Sequence, residues 1–304
     1  MTKFGLLKLG FLTFAFIGGI LMARNLLVRR KWSFVTKLFA VGIIMGTIFF
    51  VDIYIIEPNW IDVHKVKVED ARLHQILGNT KLVHITDIHL NSGLGFREEQ
   101  LIKKVNRLKP DLIFMTGDFI DNLTQVDDAR ELISQLKASV GIYGVPGNTD
   151  HLVMDGKSLA RELKSSGIDI LVNESRRIRL PNGNILWIAG VDDPKYRYAR
   201  IDKTMMGVPE DVPVIMLAHA PSAFQAAAES DVNLLLVGDT HGGQVGIPFL
   251  VQLSDYANRT PYVSGLFEMS DTQMYVNRGI GMKTLPIRFL CRPEISVIEV
   301  TSDM

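Results

Sequence analysis

The sequence predicts an α/β fold in which two packed mixed β-sheets are flanked by helices, making four layers, with an apolar helical hairpin before them. Three observations lead to this prediction. Short apolar runs bounded by Gly, Pro and Asp are typical of buried strands. Stretches with apolar residues at helical spacing separate the first of these runs. The runs are too numerous for one short sheet, and two longer uncharged runs precede them all.

Composition narrows the class of protein. Of the 304 residues, 47% are hydrophobic, and the positive mean hydropathy of +0.17 favours a membrane-attached globular protein. Lysine plus arginine and aspartate plus glutamate both number 33, so no net field attracts the chain to nucleic acid. The single cysteine, Cys291, excludes an internal disulfide framework and a cysteine-based zinc site.

Two apolar runs near the N-terminus, Leu9–Ala23 and Leu38–Val51, are each shorter than the roughly 20 residues needed to cross a bilayer. They extend to Phe4–Ala23 and Phe34–Ile56 if flanking charged side chains reach the interface. Neither run shows the single apolar face of a soluble amphipathic helix. The sequence therefore predicts that residues 1–57 form a membrane anchor of one or two transmembrane helices.

Basic residues between the two runs predict the orientation of the hairpin. They are Arg24, Arg29, Arg30 and Lys31. Clustered positive charge tends to stay cytoplasmic, so we expect the following domain to lie outside the cytoplasm. The first run also fits a signal peptide or an interfacial helix, which would leave one span. Residues 58–80 are expected to form a stalk, and residues 81–304 the globular domain.

Five apolar runs in this domain read as buried strands. They are Leu82–Ile85, Leu112–Met115, Ile142–Val145, Val214–Leu217 and Leu234–Val237. Helical patterns over Arg97–Leu108 and Asp127–Leu136 separate the first three, which predicts parallel pairing with ligands at the carboxyl ends of the strands. Further strands are expected at Ile170–Val172, Ile185–Ala189, Gln273–Val276 and Ile295–Val300.

Oxygen and imidazole donors follow each of the five runs. In chain order they are Asp87 with His89, Asp118, Asn148, His219, and Asp239 with His241. A lone Asp after a strand more often caps a turn than binds a metal. Donors at all five strand ends, however, would need independent coincidences. Two divalent cations held there could clamp a phosphate and lower the pKa of water, so the pattern predicts phosphate ester hydrolysis.

The order Asp-x-His, Gly-Asp, Gly-Asn, His and Gly-x-Thr-His resembles the calcineurin-like metallophosphoesterases, and the resemblance covers Lys81 to Thr301. Several further segments resemble the membrane-associated branch that includes YkuE-type enzymes and UDP-2,3-diacylglucosamine pyrophosphatases. They are Gly238–Gln244 with Pro248-Phe249, Tyr275–Gly281, Leu285–Phe289 and Arg292–Glu294. The resemblance implies the four-layer metallophosphoesterase sandwich.

The resemblance also implies roles for the donors. One metal ion would be held by Asp87, His89 and His241, and a second by Asn148 and His219. Asp118 would bridge the two ions. We expect Asp118 and Asn148, together with Asp150 and His151, to be the catalytic residues.

Two positions depart from the family pattern. Thr149 stands where the family usually has a histidine that assists the leaving oxygen, and Asp150 keeps the carboxylate that follows. His151 could replace the missing histidine, or it could be an exposed surface histidine. Asp239 stands where a histidine commonly binds the second metal. A carboxylate there favours harder ions, so we expect Mn²⁺ or Mg²⁺, with Fe and Zn as alternatives.

Substrate recognition is less defined by the sequence. The apolar stretch Val245–Leu253 could dock to lipid, hold an acyl chain or pack beneath the site. A mixed aromatic and basic segment could bind a phosphate or a nucleotide base, or form a solvated loop: Tyr196, Arg197, Tyr198, Arg200 and Lys203.

We therefore expect a membrane-anchored hydrolase of a phosphoester or pyrophosphate bond, with a phosphorylated lipid-linked substrate such as UDP-2,3-diacylglucosamine and no nucleic-acid partner. The alternative is a catalytically weak metal-binding scaffold or regulator of the same fold. The sequence leaves the oligomeric state open.

Overall fold

The computed structural model describes Gly18, Arg24 and residues 34–90, 93–247 and 260–302. The chain divides into two compact units, Met1–Ile56 and Glu57–Met304. Apart from Gly18, the first predicted span, Leu9–Ala23, lies outside the described residues, as do the basic residues Arg29, Arg30 and Lys31.

The described part of the first unit is an apolar helix. Helix α1 covers Phe34–Val51, and one π-helical turn, Asp52–Ile56, continues it. The helical stretch Phe34–Asn59 has 26 residues, or about 39 Å at 1.5 Å per residue, and is long and apolar enough to cross a hydrocarbon core of about 30 Å. Most of its large apolar side chains are exposed on the protein. Such a surface is suited to lipid.

The second unit contains twelve strands and seven α-helices among its described residues. The strands are β1 (Asp62–Glu69), β2 (Leu82–Ile85), β3 (Leu112–Thr116), β4 (Gly141–Val145), β5 (Ile168–Ile170), β6 (Glu174–Arg179), β7 (Ile185–Gly190), β8 (Val214–Leu217), β9 (Leu234–Val237), β10 (Gly265–Met269), β11 (Thr272–Val276) and β12 (Glu294–Thr301). The helices are α2 (Ala71–Leu77), α3 (Phe96–Leu108), α4 (Val126–Ser134), α5 (Asp150–Val153), α6 (Gly156–Leu163), α7 (Ile201–Met205) and α8 (Phe224–Ala228).

The strands form two six-stranded mixed sheets. The first has the order β1-β12-β2-β3-β4-β5, and the second has the order β10-β11-β9-β8-β7-β6. Strands β2 to β5 pair in parallel, whereas β12 runs antiparallel to β2. In the second sheet β7, β8, β9 and β11 are parallel, with antiparallel β6 and β10 at the edges. The predicted fold class is confirmed.

Three apolar clusters hold the layers together. The cluster between the sheets includes Phe114 from the first sheet and Leu186 from the second. A second cluster joins the first sheet to the buried faces of α3 and α4, through residues such as Leu101 and Leu132. A third covers the outer face of the second sheet, where Phe224 of α8 packs. The central strands β2, β3, β8 and β9 are buried on both faces, which is why their sequences are continuously apolar.

The segment expected to be a stalk is part of the first sheet instead. Strand β1 pairs in parallel with β12, in register from Asp62 opposite Glu294 to Glu69 opposite Thr301. Val66 and Val68 face the core between the sheets, while the lysines that alternate with them are exposed. This charged alternation is typical of an edge strand with one buried face, and it resembles a polar linker in sequence.

His84 of β2 is a fully buried imidazole. Its Nε2 lies 2.8 Å from Thr116 Oγ1, and burial lowers its pKa from 6.5 to about 3. The folded protein therefore holds His84 neutral between pH 3 and pH 6.5, where an unfolded chain would protonate it.

This difference predicts acid sensitivity. As pH falls from 6.5 to 3, His84 should reduce the free energy of unfolding by up to about 1.4 kcal/mol per pH unit. His84→Gln should have a shallower pH dependence than the unmodified chain, measured by urea unfolding of the full chain in detergent. His64→Gln, at an exposed position of β1, is the control. Equal slopes in all three proteins would contradict the assignment.

Candidate metal centre

Loops that follow five strands bring the predicted donors together at one end of the two sheets. The loops after β2, β3 and β4 carry Asp87, Asp118 and Asn148, and those after β8 and β9 carry His219 and Asp239. Backbone hydrogen bonds join neighbouring loops. The amide of Asp87 donates to Gly117 O at 3.0 Å, and the amide of Gly238 donates to His219 O at 2.8 Å. The two sheets thus contribute to one site.

Several donors have left-handed backbone conformations. The φ angles are 51° at Asp87, 53° at Asp118 and 67° at Asp239, and His89 and His241 share this region. A residue with a side chain pays about 1 kcal/mol or more to adopt it. Strain of this kind concentrates at functional sites, where the surrounding structure holds a side chain in a required direction.

One group of donors lies around Asp87. His241 Nε2 is 3.5 Å from Asp87 Oδ1, and His89 Nε2 is 3.9 Å from the same oxygen. Each side chain is fully buried, and the donor atoms of all three lie within 4.8 Å of one another. A carboxylate oxygen and two imidazole nitrogens at this spacing suit one divalent ion.

A second group lies around His219. Its Nε2 is 3.4 Å from Asp118 Oδ1, 3.5 Å from Asp239 Oδ1 and 3.1 Å from Asn148 Oδ1. Asp87, Asp118 and His219 also form a possible ligand group within 4.8 Å. A second ion could therefore be held beside the first.

Asp118 lies between the two groups. Its Oδ2 is 3.2 Å from His89 Nε2, and its Oδ1 faces His219. The Thr149 amide donates to Asp118 Oδ1 and the Thr149 hydroxyl to Oδ2, both at 2.7 Å. One carboxylate thus offers an oxygen to each group, which is the arrangement that a bridging ligand needs.

Outer hydrogen bonds orient two of the imidazoles. His89 Nδ1 lies 2.7 Å from Asp121 Oδ1, and His219 Nδ1 lies 2.7 Å from Thr116 O. A proton on each Nδ1 leaves Nε2 as the ligand atom, as in many metal-binding histidines. Sequence reasoning missed Asp121, although it follows Gly117-Asp118 by only three residues.

Two observations bear on whether the donor set fits metal ions. Asp87 Oδ1 is buried and makes no hydrogen bond within the part of the chain that the structure describes. One terminal atom of the Asn148 amide lies 2.9 Å from Asp239 Oδ1. If this atom is the amide oxygen, it and Asp239 Oδ1 repel each other unless both bind a cation. If it is the amide nitrogen, it donates a hydrogen bond to Asp239 Oδ1 instead. The residues fit divalent ions in the first orientation.

Comparison with known proteins assigns this site to a family. The sequence profile of the calcineurin-like phosphoesterases matches residues 80–243, which contain every donor described above. The chain belongs to the calcineurin-like phosphoesterase family. It is a metal-dependent phosphoester hydrolase by this membership.

Curated relatives agree with the family. The chain is 30% identical to the uncharacterized metallophosphoesterase YkuE of Bacillus subtilis over 81% of this chain and 88% of that protein. It is 32% identical to a transmembrane protein with metallophosphoesterase domain from Danio rerio, over 79% of this chain but only 57% of that protein. It is 27% identical to the phosphodiesterase YaeI of Escherichia coli, over 80% of this chain and 90% of YaeI.

Buried charges control the titration of this calcineurin-like site. Burial by itself lowers the pKa of the His89 imidazole. Hydrogen bonds to Asp118 and Asp121, and the charges of these carboxylates, nevertheless raise that pKa to about 9. The charge of Asp118 likewise raises the pKa of His219 well above its usual value despite burial. Burial and the charge of His89 hold the pKa of His241 far below its usual range. Without metal, two imidazoles therefore retain protons that divalent ions would displace.

The Asp150 carboxylate joins two loops by accepting hydrogen bonds from their backbone amides. Its Oδ1 accepts from the amides of Phe119 and Ile120 at 2.9 and 3.1 Å, and its Oδ2 accepts from the Gly147 amide at 2.9 Å. Burial and the charge of Asp118 raise its pKa to about 7. Both oxygens are engaged in joining the loops after β3 and β4.

His151 pairs with a carboxylate that is not one of the metal donors. Its Nε2 lies 2.6 Å from Asp192 Oδ1, and its ring centroid is 4.7 Å from that of Tyr198. Within the described residues, Asp192 is its only carboxylate partner within 4 Å. The side chain is 8% exposed, so it is not a surface histidine either.

Two lysines that the sequence did not single out reach the site. Lys195 Nζ lies 3.1 Å from Asp239 Oδ1, and Lys283 Nζ lies 3.5 Å from Asp118 Oδ2. In the aromatic and basic segment that the sequence left as either a ligand-binding or a solvated loop, Arg200 donates hydrogen bonds to the carbonyls of Arg197 and Ala199 in its own loop. Neither lysine belongs to a recognisable motif, so only the folded loops place them here. Of the apolar stretch Val245–Leu253, residues 248–253 lie outside the described residues.

The C-terminal motif braces the first donor loop. Arg288 is completely buried, and burial lowers its pKa to about 10. Its guanidinium donates to the carbonyls of Arg278, Gly279, Gly281 and Cys291. The Gly281 amide in turn donates to Asp87 O at 2.6 Å. Two of the segments that resemble the membrane-associated branch, Tyr275–Gly281 and Leu285–Phe289, therefore support Asp87.

Glycines let the loops approach the carboxylates closely. A Cβ on Gly147 would overlap Asp118 Oδ1, and one on Gly238 would overlap Asp87 Oδ2 and Thr86 Oγ1. Side chains at these two positions would displace the carboxylates themselves.

Gly238→Ala should therefore weaken metal binding at least about tenfold, because Asp87 must move. The measurement is Mn²⁺ titration of the purified chain, with bound metal counted by mass spectrometry. Gly183→Ala is the control: its φ of 87° makes the substitution strained, but no atom lies within 4 Å of the added Cβ. Equal Mn²⁺ affinity in the two variants would show that the Asp87 position does not matter.

Proposed function

We propose that this hydrolase acts through two divalent ions held on either side of Asp118. Asp87, His89 and His241 would hold one ion, and Asn148, His219 and Asp239 the other. The observation that carries this proposal is the placement of the two Asp118 oxygens, one beside His89 Nε2 and one beside His219 Nε2. Such a carboxylate serves two ions at once.

The ions would supply Lewis acidity toward a phosphate ester and water of lowered pKa. The chain's own residues keep the donors in place. Thr149 holds both oxygens of Asp118, and Asp121 fixes the ring of His89. Asp150 holds the loops that carry Asp118 and Asn148 through its three backbone contacts. Because Thr149 has no titratable group near neutrality, assistance to the leaving oxygen must come from another group.

Activity should depend on Asp118. The full chain in detergent, supplied with Mn²⁺, should hydrolyse bis-p-nitrophenyl phosphate, and Asp118→Asn should reduce kcat/KM at least about 100-fold, since it removes the charge between the ions. Asp202→Asn, on the exposed side of α7, should retain activity.

The second candidate is a metal-binding scaffold with little catalysis, which the departures at Thr149 and Asp239 favour. A chain that binds two Mn²⁺ ions but turns over no phosphate ester would support the scaffold. Turnover that is lost in Asp118→Asn would exclude it.

We propose Mn²⁺ or Mg²⁺ as the ion at the second position, ahead of Fe or Zn. Asp239 places a carboxylate oxygen 3.5 Å from His219 Nε2, and burial does not keep it neutral: nearby His219 and Lys195 hold its pKa below the usual range. An ionised carboxylate beside an amide oxygen favours harder cations.

Asp239→Ala should reduce bound Mn²⁺ from two ions to one per chain, and Asp239→His should shift preference toward Zn²⁺ because imidazole suits zinc. Bound metal is counted after dialysis against equal Mn²⁺ and Zn²⁺. Asp211→Ala removes an exposed carboxylate and serves as the control. Unchanged metal content in Asp239→Ala would refute its role as a ligand.

We propose that residues 1–57 anchor the enzyme in a membrane and that its substrate carries phosphate or pyrophosphate on a lipid. The 26-residue apolar helical stretch Phe34–Asn59 supports the anchor. The basic residues between the predicted spans favour a site outside the cytoplasm. UDP-2,3-diacylglucosamine would instead require a cytoplasmic site, so the side of the membrane separates these substrates.

A C-terminal reporter that fluoresces only in the cytoplasm decides between them. A dark fusion, with the same reporter bright on a cytoplasmic control protein, is the expected result for the outward orientation. A fluorescent fusion would overturn that orientation and leave UDP-2,3-diacylglucosamine as a candidate for a turnover test with acylated and non-acylated pyrophosphates.

A further inference from the structure

We propose that Lys195 and Lys283 form a two-lysine binding site for the phosphate group of the substrate. The proposal rests on the proposed hydrolytic function and deepens it, by naming the groups that contact the phosphate beside the metal ions. Neither residue is a metal donor, and the two come from separate loops, after β7 and after β11.

The lysines stand where the site is open to solvent. The side chains of Asp87, His89, Asp118, His219 and His241 are all nearly inaccessible. In contrast, the side chains of Asp239, Lys195 and Lys283 are 15%, 31% and 30% exposed. The two ammonium groups are therefore among the groups of this site that solvent and a substrate can reach.

Their distances place both lysines beside the same pair of residues. Lys195 Nζ is 3.3 Å from one terminal atom of the Asn148 amide. Lys283 Nζ is 2.5 Å from Thr149 Oγ1 and 3.2 Å from the other terminal atom of that amide. The ammonium groups thus flank Asn148 from two sides, next to the second group of donors.

The hydrogen-bonding capacity of the lysines suits an anion. An ammonium group has three N–H donors. Among the described residues, Asp239 and Asn148 offer acceptor atoms to Lys195. Thr149 and Asp118 offer acceptor atoms to Lys283. Divalent ions would compete for these same carboxylates and neutralise them. The ammonium groups could then bind phosphate oxygens, which make strong charge-assisted bonds.

A different role would leave the same contacts. The lysines could neutralise Asp239 and Asp118 without ever meeting a substrate. In that case their loss should change metal binding, because metal ions and ammonium groups compete for the carboxylates. A phosphate-binding pair should instead change affinity for phosphate while metal content stays constant.

The test uses the full chain in detergent, saturated with Mn²⁺, with inorganic phosphate as the probe. Binding is measured by isothermal titration calorimetry, and inhibition of bis-p-nitrophenyl phosphate hydrolysis is measured beside it. Lys195→Gln and Lys283→Gln should each weaken phosphate binding about tenfold, and the double variant about 100-fold, consistent with the loss of one charge-assisted bond each. Lys195→Arg and Lys283→Arg should recover most of the affinity. Lys137→Gln, at an exposed position, is the matched control.

Unchanged phosphate affinity in the double variant would overturn the proposal, and so would a loss of bound Mn²⁺ parallel to the loss of phosphate. Calorimetry measures phosphate binding without turnover, so the lysine site and the hydrolytic function can each be refuted independently of the other. Lysine-dependent phosphate binding without hydrolysis would count against the enzymatic function alone. Hydrolysis with phosphate affinity insensitive to both lysines would count against the lysine pair alone.

Discussion

The structure depends on the burial of carboxylates that face one another. Asp87 and Asp118 are inaccessible to solvent, and Asp239 is mostly buried beside them. Burial raises the pKa of Asp87, whereas the histidines beside Asp118 hold its pKa well below the usual range. Like charges in a dry site cannot be retained without cations. Imidazolium and ammonium groups meet this requirement in the metal-free protein, and metal ions would meet it in the working enzyme.

This constraint explains why the loops around the site are so closely braced. Carboxylates that repel one another must be held in place by the backbone. The loops after β2, β3 and β4 are joined by hydrogen bonds between backbone groups and by hydrogen bonds from backbone amides to the Asp150 carboxylate. Arg288 holds the C-terminal segment against Asp87 from the other side. Left-handed backbone at Asp87 and Asp118 is a further cost that this support makes tolerable.

The two departures from the family pattern alter the charge of the site in a consistent way. Asp239 adds a negative charge where a histidine is common, and Thr149 removes a titratable ring. Lys195 lies beside the first and Lys283 beside the second. The extra carboxylate and the lost ring are thus matched by two cations.

The sequence by itself determined the fold class and the order of the donors. The five central strands lie within a residue of their predicted ends, because continuous apolar runs reflect burial on both faces and do not depend on distant contacts. Asp87, Asp118 and His219 could be identified because each follows such a run. The types of these residues and their order in the chain indicated metal-dependent hydrolysis of a phosphate ester.

Only the tertiary structure decided which side chains complete the site. Lys195 and Lys283 come from loops far apart in the chain, and no local pattern distinguishes them from surface lysines. The same holds for β1, whose charged alternation resembles a linker until β12, more than 200 residues later, pairs with it. His151 follows the donor Asn148 by only three residues, yet the turn of α5 directs it to Asp192. Contacts between distant segments depend on how the two sheets pack, and local residue order does not encode that packing.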